Sequence, residues 1–136
     1  MFTIAIHEGR LLECRIASPV TVEEVSAFAA KLKAALASTQ KQVVICCDVR
    51  RANVFPPEVS DAWVKVMKSD NPRVERSGFL VGESAMFGLQ VERMIRDAGN
   101  PHRRAFRDLA QATAFVGELL DSQERARLSA FVAEST

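Results

Sequence analysis

The chain has 136 residues, 48% of them hydrophobic, with 18 basic and 17 acidic side chains and a formal net charge of +1. That length makes one ordinary domain with enough apolar material for a core. The charge balance supplies no general field toward nucleic acid, and no apolar run is long enough to cross a bilayer, so neither nucleic-acid binding nor integral membrane association is expected.

Phe2, Ile4 and Ile6 alternate with Thr3, Ala5 and His7, the period of a half-buried strand. Leu12, Cys14 and Ile16 alternate with Glu13 and Arg15 and predict a second strand. Glu8-Gly9-Arg10 between them suits a hairpin with Gly9 at positive φ. Thr21 followed by Glu24 has capping-box form. Val22, Val25, Phe28, Ala29, Leu32 and Leu36 then recur at helical spacing.

The stretch from Gln42 to Trp63 organises the rest. Val43 to Cys47 is a continuous apolar run that closes on Asp48. A short run rich in β-branched residues suits a strand buried on both faces. Such a strand needs helices above and below it, hence an α/β layered domain. Val49 to Pro56, carrying Arg50, Arg51, Asn53 and Phe55, reads as a loop. Pro57 suits the first turn of a helix, and Val59, Ala62, Trp63, Val66 and Met67 form the clearest amphipathic pattern in the chain.

Gly78 to Gly82 reads as another buried strand. Ser84 can cap a helix through Ala98, with Phe87, Val91, Met94 and Ile95 on one stripe and Gly99 ending it. Arg104 to Arg107 is a short edge-strand candidate. Asp108 caps a helix with Leu109, Ala112, Val116, Leu119 and Leu120 inward, and a last helix from about Ser122 to Glu134 uses Leu128, Phe131 and Val132. The order predicts one domain over residues 1–136: a mixed sheet of five strands, antiparallel at the first hairpin and parallel afterwards through right-handed crossovers, covered by helices. Residues 122–134 form a C-terminal extension helix in this reading.

Little in the sequence points to catalysis. The three cysteines lack metal-site spacing. Cys46 and Cys47 are adjacent, so on a strand they point to opposite faces and act as small core fillers. His7 and His102 have no nucleophile or carboxylate placed beside them by the sequence. Arg93, Arg96, Arg103, Arg104 and Arg107 are diluted by Glu92, Asp97 and Asp108 and read as a solvated surface. Open α/β sheets bind ligands at the carboxyl ends of their parallel strands. That edge carries Asp48, Arg50, Arg51 and Asn53, then Gly82, Glu83 and Ser84, where ordinary capping is the simpler reading. Neither a cofactor nor a metal is expected. Reduced, buried thiols and an N-terminus without a basic segment ahead of its apolar residues point to a cytoplasmic chain.

The element order, with Asp48, Phe55 and Trp63 around the central strand and its following helix, resembles the SpoIIAA-like family, as do the blocks SGFLVGESAMFGLQVERMIRDAG and RRAFRDLAQATAFVGEL. This family shares the fold of STAS domains, named for sulfate transporters and anti-sigma-factor antagonists. The resemblance implies a non-enzymatic regulatory or protein-interaction module, with a protein partner of unknown identity or a second copy of the chain. Its contact residues would be Arg50, Arg51, Asn53, Phe55 and Trp63, with Phe55 the foremost candidate for an exposed contact and Trp63 on an inward stripe. The antagonists carry a phosphorylatable serine in an Asp-x-Ser-Ser-Gly-like motif. Here the region reads VFPPEVSDAW, and a phosphate on Ser60 would face repulsion from Glu58 and Asp61, so that switch is not expected. The alternative is a carrier of a small apolar ligand or lipid, because the family's fold is similar to that of a class of lipid-transfer domains. Phe55, Trp63, Met67, Phe87 and Met94 would then bound its cavity.

Overall fold

The computed structural model describes residues 1–134. Strands β1 (Phe2–Glu8) and β2 (Leu11–Ala17) pair antiparallel across a turn in which Gly9 takes φ +54°, a conformation that favours a residue without Cβ. There follow α1 (Val22–Ala37), β3 (Val43–Arg51), α2 (Pro57–Asp70), a single 3-10 turn (Asn71–Arg73), β4 (Val74–Leu80), α3 (Ala85–Ala98), β5 (Arg103–Phe106), α4 (Leu109–Gly117) and α5 (Ser122–Glu134). The strands lie in the order β1-β2-β3-β4-β5, and every pairing after the hairpin is parallel. The expected five-stranded mixed sheet is therefore present.

Alternation on β3 divides the apolar run between two cores. Val43, Ile45 and Cys47 face α1, α2 and α3 and join Phe28, Trp63 and Phe87. Val44 and Cys46 face the other way, with Leu11 and Leu80, against Val116 of α4 and Leu128 and Phe131 of α5. Four helices begin on side-chain caps, α5 among them, where the Glu124 amide donates to Asp121 Oδ1 at 2.8 Å. The Glu24 amide donates to Thr21 Oγ1 at 3.1 Å, Phe87 to Ser84 Oγ at 3.2 Å and Gln111 to Asp108 Oδ1 at 3.0 Å. Gly99, at φ +82°, ends α3.

Boundaries differ from the sequence reading where polar residues sit inside strands. β3 continues to Arg51, so Arg50 and Arg51 belong to a strand and not to a loop. The polar pair Asp48 and Arg50 interrupts the apolar run, yet both lie on the sheet face beneath α5 and bond each other there. β4 starts at Val74 rather than Gly78. Its polar Arg76 had hidden it; that guanidinium stacks 4.5 Å from the Phe115 ring centroid and donates to the Phe115 carbonyl at 2.9 Å. The last helix packs on its own chain, burying Leu128, Phe131 and Val132. Among the described residues, no helix is long and apolar enough to cross a membrane.

Candidate functional site

The sequence candidates separate into three places. Arg50 belongs to a polar hub between the sheet and α5. Asp48, in register with Arg15 on the neighbouring strand, is 4% exposed and accepts from Arg15 Nη1 at 2.9 Å and from Arg50 Nε at 3.0 Å. The same two arginines donate onward to the carbonyls of Phe131 (2.6 Å) and Val132 (3.0 Å). Arg50 therefore anchors a helix and is no open contact.

Arg51 and Asn53 are exposed at the carboxyl edge of the sheet, where the Asn53 amide donates to Ser18 Oγ at 2.8 Å. Phe55 is not exposed, contrary to the sequence reading: its side chain is 5% accessible. Gln90 of α3 holds the Phe55 backbone at both ends, accepting from its amide at 2.8 Å and donating to its carbonyl at 2.9 Å. That clamp turns the ring inward, 5.4 Å from Phe87 and 6.2 Å from Trp63 between ring centroids. Trp63 is buried, as its stripe predicted, and packs edge-on against Phe28.

What the clamp leaves outside is apolar. Val54 is 48% exposed, and Met86 and Leu89, which flank Gln90 on α3, are 74% and 67% exposed. The sequence reading passed over these three. The signal was available: Met86 and Leu89 are large apolar residues off the inward stripe of their helix. Ser84, by contrast, is an ordinary cap.

The third place is a cavity of about 60 Å³ between the sheet and helices α1 to α3, lined by Phe55, Trp63, Asp70, Ser77 and Arg103 among others. Arg103, read from sequence as part of a solvated cluster, is 6% exposed. Alternation on β5 turns it under α2, while Arg104 turns out onto Phe115. Burial pushes the Asp70 carboxyl up from 3.8 to about 6, against the pull of Arg103. Its proton affinity is thus higher folded than unfolded, so its contribution to stability is greatest below the unfolded value and is lost as pH rises through about 6. Asp70→Asn is expected to resist denaturant better than the parent at pH 7, with the gap closing by about pH 4. A gap that stays constant across that range would refute burial as the cause.

The three thiols are buried and free. Burial raises the Cys14 thiol, as does a hydrogen bond with Cys47, and burial likewise raises Cys46, so both are protonated and unreactive.

These elements make a SpoIIAA-like α/β fold. The chain is similar to the crystal structure of an uncharacterized protein of the DUF3478 family with a SpoIIAA-like fold from Shewanella loihica PV-4, with a TM-score of 0.65 and 14% identity over 85% of this chain and 93% of that one. No protein-family model matches the chain. No curated protein matches it at a significant level.

Proposed function

We propose that the chain is a non-enzymatic regulatory module that works by docking a protein, with its contact surface on the β3–α2 loop and the first turns of α3. One observation carries this reading: Val54, Met86 and Leu89 stand exposed on two segments that Gln90 locks together. A rigid, preformed apolar surface associates without the entropy cost of ordering a loop. Arg51 and Asn53 border it at the sheet edge. Three buried, unpaired thiols fit a reducing compartment and a cytoplasmic setting.

A second copy of the chain is the first partner to test. The parent is expected to self-associate in sedimentation velocity, and Met86→Glu with Leu89→Glu to sediment as a monomer with an unchanged circular dichroism spectrum. Both positions are exposed, so the substitutions should alter stability by no more than about 0.5 kcal/mol. Identical sedimentation of parent and variant would remove this surface from the self-association. Carriage of a lipid draws less support, because about 60 Å³ accommodates a few atoms and no acyl chain.

A further inference from the structure

We infer that the cavity beneath α2 is a binding site for a short monocarboxylate, with its carboxylate held by Arg103, Ser77 and Trp63 and its carbons directed toward Phe55. The site shares no residue with the exposed α3 surface, so either can fail alone.

Arg103 is a buried cation with no carboxylate in direct contact among the described residues. It is 6% exposed, and a guanidinium stays protonated in proteins. Its hydrogen bonds reach neutral acceptors only: Nε and Nη2 donate to Asn71 Oδ1 at 3.3 and 3.2 Å, and Nη2 donates to the Met67 carbonyl at 3.2 Å. Among the described residues no carboxylate forms an ion pair with it. Asp70 attracts it only from beyond that contact distance, and a buried cation without a contacting counter-charge is costly and favours an anion.

Two further polar groups line the same space. Ser77 stands beside Arg103 in the strand register and is fully buried, yet its Oγ has no hydrogen-bond partner. Trp63 Nε1, on the helix above, has none either. Buried polar atoms are seldom left unsatisfied. A carboxylate has two oxygens that together accept about four hydrogen bonds, which matches these donors.

Size sets the class of ligand. The cavity measures about 60 Å³, well under the roughly 150 Å³ of an engineered apolar cavity that takes up benzene. Acetate and propionate fit, and an aromatic acid does not. The remaining lining is apolar, including Phe55, Phe79, Val91 and Ile95, and suits a methyl or ethyl group. The charged groups lining the site are Arg103 of β5 and Asp70 of α2.

Trp63 is the single tryptophan and the chain has no tyrosine, so its indole signal reports on this cavity alone. The experiment titrates the full chain with sodium propionate near pH 6, following the indole N–H resonance, with propionamide and sodium chloride as controls. A saturable shift with propionate and none with either control is expected. Arg103→Met should weaken binding at least roughly tenfold, and Arg104→Met, on the outward side of the same strand, should leave it unchanged. Should Arg103→Met fail to fold, Ser77→Ala keeps the buried cation and should weaken binding several-fold. An indole resonance that does not move, moves without saturating, or moves equally with propionamide would overturn the site and leave the cavity to water.

Discussion

Replacing Asp48 with alanine is expected to cost about 3–5 kcal/mol of stability, the usual range when one member of a buried ion pair is removed. The carboxylate is 4% exposed and joins two arginines from adjacent strands. Without it, Arg15 and Arg50 would hold like charges close together in a poorly solvated place. The loss would reach further than the pair. Both arginines also donate to carbonyls in the last turns of α5, and Arg15 lies 4.0 Å from the Phe131 ring centroid. Their displacement would loosen the helix that covers the sheet. Denaturant unfolding measures the effect. The double substitution Asp48→Ala with Arg15→Ala should cost less than the sum of the two singles, because it removes one of the stranded cations. Additive costs would mean that the two groups are not coupled.

The layers of this fold are legible in the sequence because its strands and helices carry strong local patterns. Val43 to Cys47 reads as a doubly buried strand, and the two cores on its faces bear that out. The caps at Thr21, Ser84 and Asp108 are local chemistry and are read directly. The site is much less legible, because its determinants are distant in sequence. Phe55 precedes two prolines and looks like an exposed loop residue; a glutamine 35 positions away turns it inward. Arg103 lies in a run of arginines that looks solvated, and its burial depends on where α2 closes over β5. Asp48 and Arg50 look like the start of a loop until α5 arrives to cover them. In each case a polar or ambiguous residue takes its role from a partner that local periodicity does not encode.

Gly9→Ala is expected to be as damaging as the loss of Asp48, for a different reason. At φ +54° a side chain carries a conformational cost of about 1–2 kcal/mol. The added Cβ would also stand 2.0 Å from Glu124 Oε2, so the glutamate must leave. Glu124 is 6% exposed and tightly used. Its Oε2 accepts from the Arg10 amide at 2.7 Å and its Oε1 from the Asp121 amide at 2.9 Å, while Asp121 Oδ1 accepts from the Glu124 amide at 2.8 Å. This is a capping box whose glutamate also fastens α5 to the first hairpin. Strain together with the lost hydrogen bonds gives a total of about 3–5 kcal/mol. Glu124→Ala removes the obstruction, so Gly9→Ala should cost only its backbone strain, about 1–2 kcal/mol, in that background. An unchanged cost there would assign the whole effect to strain. The two anchors act at opposite ends of one helix. Glu124 fastens the start of α5 to the hairpin and the Asp48 hub fastens its end, which closes that face of the sheet. The exposed apolar side chains of Val54, Met86 and Leu89 lie away from it, and the buried cation of Arg103 faces the opposite core.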